Sequence, residues 1–230
     1  MKPPEPITTT KDGRQRFRSD ETKTLALNDP VAWLKRITVA GDACAWNRFV
    51  GGVLLALVVL LFLSGAFLAF YYSPVPGAAY DSVDFTLFSA PFGSILKGVH
   101  HYAWNLLLVL AIFHLARTFV AGAYRKPRQL TWISGVAILG LLPLFIITGD
   151  LLPWDQRGYW STQVRMSIIA SIPFAGDMAV RILQGGALTG IVALTRFYVL
   201  HILFLPCLLA LLLAVHFYFV ARHGFAERLN

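Results

Sequence analysis

The chain has 230 residues, 57% of them hydrophobic and 14% charged, with a formal net charge of +8 and two cysteines, Cys44 and Cys207. A soluble domain carries roughly a quarter charged residues, so the composition excludes a water-soluble globule, and a chain this apolar is not disordered. Without a C-x-x-C or C-x-x-C-H pattern there is no support for a thiolate zinc site, a disulfide framework or standard covalent c-type haem attachment.

Residues 1–28 are polar and rich in Pro, Thr and Lys; they read as a disordered tail, because the first apolar core begins too far in for a signal peptide. Residues 29–230 read as one membrane domain. Asp29 and Pro30 form a helix start, as N-cap and first helical residue. The apolar Trp33, Leu34, Ile37 and Ala40 then lie opposite Lys35 and Arg36, the pattern of an amphipathic helix on a membrane surface.

Four apolar runs follow, each near the roughly 20 residues needed to cross a bilayer. Span A is Phe49–Tyr72, B is Val99–Ala121, C is Trp132–Gly149 and D is Phe197–Ala221. They are too long and too continuously apolar for barrel strands, which leaves helices. Between A and B, Ser73-Pro74-Val75-Pro76-Gly77 is a turn signal. Between C and D, Ile168, Ile169, Ile172, Phe174, Met178, Val180, Ile182 and Leu183 predict short surface helices, since a structureless loop of that length is uncommon. The predicted fold is therefore all-α: a four-helix transmembrane bundle with a surface helix before it and short surface helices between C and D.

Charge sets the orientation. Residues 1–48 hold nine Lys/Arg, the B–C connection (117–128) four and the C-terminal end two, whereas the A–B connection holds only Lys97 and residues 150–196 hold four. With four spans, the tail, the B–C loop and the C-terminus share one side, which the positive-inside rule makes cytoplasmic. The excess charge is thus topology, and no nucleic-acid partner is expected. The predicted location is a bacterial inner membrane or an equivalent energy-transducing membrane.

The chain has six histidines, and five lie in or against B and D. An ionisable group inside a span is costly and is a functional candidate by default. His100 and His114 are 14 residues apart on B; at about 100° per residue this falls about 40° short of four turns. His201 and His216 are 15 apart on D, about 60° past four turns. Each pair shares a broad face and is separated by roughly 21 Å along its helix. B and D run antiparallel, so His100 is level with His201 and His114 with His216. Two imidazoles facing each other at two depths suit two bis-histidine haems, because two His alone leave most positions of a bare metal ion empty. His101 lies about 140° round the helix from His114 and points elsewhere.

Gly51 and Gly65 on A, and Gly135 and Gly149 on C, repeat the interval of 14. A flat macrocycle between helices needs backbone without Cβ where it presses closest. Cations suited to haem propionates stand near the spans' ends: Lys97, Arg117 and Arg196. Asp150 and Asp155, just after span C, are candidate proton acceptors, although either also suits a loop or helix-cap role. Arg222 and His223 at the inner end serve either a bound small molecule or, the preferred reading, as membrane anchors.

The runs GVHHYAWNLLLVLAIFHLARTFVAGAYRKPRQLTW, ITGDLLPWDQRGYW and LTRFYVLHILFLPCLLALLLAVHF resemble the amino-terminal half of cytochrome b, especially its short b6 form, over about Trp46–Gly224. The resemblance implies two haems b, the outer on His100 and His201 and the inner on His114 and His216. It implies quinol oxidation at the outer side, electron transfer through both haems to an inner quinone site, and proton translocation. It also maps Gly149, Asp150, Pro153, Trp154 and Asp155, within the run from Thr148 to Gln156, to a wall of the outer quinol pocket. The implied partners are a second subunit carrying the C-terminal half of cytochrome b, a Rieske iron–sulfur protein or equivalent, a c-type cytochrome, and a second copy of the complex.

Two departures from the family stand out. The b6 form has a Cys before the Gly pair of helix A that holds an extra haem covalently; here Phe49-Val50 precedes Gly51-Gly52, so no covalently bound haem is expected on this chain. His101 stands where the family has Arg. Two other classes fit parts of the pattern: a dihaem anchor of a dehydrogenase or hydrogenase, which does not need the long C–D segment, and a transporter or proton channel using intramembrane His, which needs no haem.

Overall fold

A computed structural model describes residues 45–186 and 188–224. The expected tail at 1–28 and the Asp29-capped helix lie outside the described residues. In chain order the elements are α1 (Ala45–Tyr71), α2 (Pro76–Phe88), α3 (Gly93–Val120), α4 (Gln129–Gly149), α5 (Gln156–Ala170), α6 (Gly176–Gln184), α7 (Ile191–Val199), a π-helical turn (Leu200–Phe204) and α8 (Leu205–His223). Among the described residues there is no strand.

Four helices are long and apolar enough to cross a membrane: Phe49–Tyr71, Gly93–Val120, Gln129–Gly149 and the continuous rod Ile191–His223. These are spans A to D. Their outward faces carry bare Phe62 (63% exposed), Leu63 (61%), Val109 (63%) and Leu211 (61%). Contiguous apolar surface of this kind needs lipid, and the chain is an integral membrane protein.

Two boundaries move by six residues. Span B starts at Gly93, six residues before the expected Val99, so Lys97 stands on the helix. The reason is local: Phe92 adopts a left-handed φ of 58° and a Cβ on Gly93 would lie 1.8 Å from the Thr86 carbonyl oxygen, so the chain turns tightly there and goes straight into the helix. Span D starts at Ile191, six residues before Phe197. The A–B connection also holds more than a turn. Pro76 occupies the first turn of α2, where its missing N–H costs nothing.

The short helices expected between C and D are α5 and α6. Asp155 caps α5, accepting from the Gly158 amide at 2.7 Å. The two helices close over an outer core of Ala79, Leu151, Met166, Ala193, Leu194 and Phe197. Within the membrane, α1 packs along α3 and α4 along α8, with α3 against α4 joining the pairs. Leu57, Ala103, Leu107 and Leu142 fill the first contact, and Leu141, Leu205 and Leu209 the second.

The π turn has a sequence cause. Pro206 has no N–H for the Ile202 carbonyl and its ring crowds that oxygen. The helix widens just before it, and the Leu205 amide reaches back five residues to the Leu200 carbonyl. A π turn absorbs one extra residue. The 15-residue interval from His201 to His216 therefore turns through about the same angle as the 14-residue interval on α3.

Candidate functional site

His100 and His114 stand on α3, His201 in the π turn and His216 on α8. The His100 and His201 rings meet edge-on, with centroids 6.4 Å apart and planes at 63°. An iron between two imidazoles needs a bond of roughly 2 Å on each side plus about 1 Å to each ring centre, roughly 6 Å in all. The outer pair is therefore already spaced for a six-coordinate haem iron. His114 and His216 are near enough to interact electrostatically. His101 is exposed, with its ring edge-on to Tyr102 at 5.3 Å.

The backs of three of these rings are held by residues that the sequence reading did not single out. Ser64 Oγ lies 3.0 Å from His100 Nδ1, Thr148 Oγ1 3.1 Å from His201 Nδ1, and Ser134 Oγ 2.9 Å from His216 Nδ1. Each hydroxyl immediately precedes one of the spaced glycines. A Cβ on Gly149 would come within 2.6 Å of His201 Cε1, one on Gly65 within 3.0 Å of His100 Cε1, and one on Gly135 within 3.4 Å of His216 Cε1. Gly51 has nothing within 4 Å of such a Cβ. The recurring Ser/Thr-Gly dipeptide was the sequence signal for these three contacts.

The cations divide. Where α3 ends and α4 begins, Arg117 Nη1, Arg128 Nε and Trp132 Nε1 are buried donors with no hydrogen-bond partner among the described residues. Buried donors are nearly always paired, so each of these fits an acidic group such as a propionate. Arg128 and Trp132 both belong to the run KPRQLTW that joins spans B and C, a pair of donors that helix spacing does not single out. Arg196 gives its guanidinium to the carbonyls of Arg181 and Ile182 at the end of α6. Lys97 lies one turn before His100.

The outer segment is brought together at the junction of α4 and α5. Asp150 accepts from Ser161 Oγ at 2.6 Å and Arg165 Nη2 at 2.5 Å, with Arg157 at 3.6 Å. Burial works against its charge, but the Ser161 hydroxyl and the two guanidinium groups outweigh it and hold the carboxyl below the usual range. Tyr72 OH donates to the Leu152 carbonyl at 2.6 Å and ties α1 to this junction. Trp154 takes a left-handed φ of 53° and sets its ring against Tyr159 at 5.8 Å. Tyr80, Trp154, Asp155, Gln156 and Arg157 line an open cleft here.

Fold and site together define a four-helix membrane bundle with histidines paired at two depths. The family described as cytochrome b (N-terminal)/b6/petB matches residues 105–229. The chain is 36% identical to cytochrome b6 of Synechococcus sp. (strain CC9605) over 174 residues, 76% of this chain and 80% of that one. It is likewise 36% identical to cytochrome b6 of Picosynechococcus sp. (strain ATCC 27264 / PCC 7002 / PR-6), over 76% of this chain and 78% of that one. A solved chain described as hyperthermophilic respiratory Complex III superposes with a TM-score of 0.74 and 27% identity, covering 88% of this chain and 55% of that one. The chain thus spans about half the length of that structural relative. It belongs to the cytochrome b/b6 family, the bc-type electron-transport cytochromes of membranes.

Proposed function

We propose that the chain is the dihaem subunit of a quinol-oxidising bc-type complex, exchanging electrons between an outer quinol site and an inner quinone site and coupling the transfer to proton translocation. The observation that carries the reading is the outer His100–His201 pair, with centroids at the separation that two axial ligands of one iron require. Bound between the pairs, the haems supply reversible one-electron storage at two depths, with potentials set by axial ligation and the low-polarity surroundings.

The chain's own residues fall into roles. His100 and His201 hold the outer haem b; His114 and His216 hold the inner one. Gly65, Gly135 and Gly149 give the imidazoles room, and Gly51 leaves open space level with His114. Arg117, joined by Arg128 and Trp132, offers unpaired donors to the inner propionates. Lys97 is the cation for the outer propionates, while Arg196 fastens the end of α6. Gly149, Asp150, Pro153, Trp154 and Asp155 shape the outer quinol wall. Within it Asp150 is committed to Arg165 and Ser161, which leaves Asp155, at the cleft, as the better-placed carboxylate to receive a proton.

The remaining half of the quinol site belongs to a second subunit carrying the C-terminal half of cytochrome b, and the high-potential acceptor to a Rieske protein or equivalent with a c-type cytochrome, in a dimeric complex. The outer helices α5 and α6 favour this reading over a simple dihaem anchor, which has no use for them. Replacing His100 or His201 by Ala should abolish one haem, and replacing His114 or His216 by Ala the other, in reduced-minus-oxidised spectra of the purified complex. Retention of both haems in all four variants overturns the assignment.

A further inference from the structure

Three histidines share one arrangement behind the ring, and the fourth lacks it. Ser64 donates its hydrogen to the Leu60 carbonyl at 2.7 Å, Thr148 to the Leu144 carbonyl at 2.8 Å and Ser134 to the Thr131 carbonyl at 2.8 Å. A hydroxyl has a single hydrogen. With that hydrogen spent on the helix, each oxygen can only accept from the imidazole. Each is then placed to accept a proton carried on Nδ1 of His100, His201 or His216, the tautomer that leaves Nε2 with its lone pair.

The antiparallel register of α1 and α3 puts Gly51 level with His114, as Gly65 is level with His100. The residue before Gly51 is Val50, which is buried and has no hydroxyl. His114 Nδ1 is correspondingly buried with no hydrogen-bond partner among the described residues. The four ligands are thus not equivalent: both ligands of the outer pair are backed by a hydroxyl, but only one of the inner pair is.

We propose that Ser64, Thr148 and Ser134 are positioning residues that fix the tautomer and direction of His100, His201 and His216, and that Val50 withholds this support from His114, making the inner site the less strongly donating of the two. The inference rests on the haem-ligand reading above. An acceptor behind a ligating imidazole raises its basicity and fixes its orientation, and a more basic ligand favours the oxidised metal. The inner haem is then the more easily reduced, in the direction that draws electrons from the outer side to the inner.

The test uses redox titration and low-spin EPR of the intact complex. Ser64→Ala should raise the midpoint potential of the outer haem alone and change its EPR signature, and Ser64→Thr should restore both. Val50→Thr, close to isosteric with valine, should lower the potential of the inner haem alone. Loss of the outer haem in Ser64→Ala with retention in Ser64→Thr also supports the proposal. Unchanged potentials and EPR spectra in both Ser64→Ala and Val50→Thr overturn it, as does a shift of equal size in both haems. A wild-type complex without haem would instead sink the underlying function, so the two failures are distinguishable.

Discussion

Gly149 faces the His201 imidazole so closely that a Cβ there would stand 2.6 Å from Cε1. Real carbon atoms do not approach like this, so the glycine and the ring direction depend on each other. The same relation weakens through Gly65 and Gly135, at 3.0 and 3.4 Å. Gly149→Ala should therefore deplete the outer haem strongly, Gly65→Ala less so, and Gly135→Ala should leave the inner haem nearly intact. Haem-to-protein ratios of the purified variants check the order; equal losses would mean that the glycines serve only general helix packing.

The π turn makes a prediction about length. Because it holds one residue more than an α-helical turn, deleting Leu203 should return the segment to α-helical winding and leave His201 and His216 in phase. Both haems should remain. Deleting one residue from the regular part of α8, such as Leu211, rotates everything beyond it by about 100° relative to His201 and should lose the inner haem. Optical spectra of the two deletions decide between these outcomes.

Asp150 predicts a response to acid. Its carboxyl is held below the usual value of 3.8, so the clamp on α5 is complete at neutral pH and disappears as pH falls through that lowered value. Asp150→Asn should remove the ionic part at every pH and weaken the docking of α5 by about 1–3 kcal/mol. Hydrogen exchange across Gln156–Ala170 should then be faster in the variant at neutral pH, with the difference closing in strong acid. Unaltered exchange at neutral pH would show that the outer core alone holds α5.

The inner donors predict a charge effect. Arg117→Gln removes a guanidinium whose buried Nη1 has no hydrogen-bond partner among the described residues. In the proposed role, that loss exposes the inner propionates to less positive charge, so the inner haem's potential should fall while the outer haem is unaffected. Redox titration resolves the two; a change confined to the outer haem would place Arg117 elsewhere.

Much of this molecule is written along single helices. The four spans, the shared faces of His100 with His114 and of His201 with His216, and the glycine interval of 14 all follow from residue spacing and a fixed helical pitch, quantities local to one segment. The sharp partition of Lys and Arg is equally visible without a structure.

Other features depend on contacts between segments. Ser64 meets His100 across 36 residues, Thr148 meets His201 across 53, and Ser134 meets His216 across 82. No periodicity states which hydroxyl will face which ring, because that depends on how far each helix is rotated and tilted against its neighbour. Arg196 illustrates the same limit: its place ahead of His201 does not tell that its Nη1 reaches the carbonyls of Arg181 and Ile182 at the end of α6. The tertiary fold likewise decided what Asp150 meets, since Arg165 and Ser161 lie on a helix that reaches it only after the chain turns back. Composition and pitch set the helices and the faces they present; the packing of those faces decided which side chains meet.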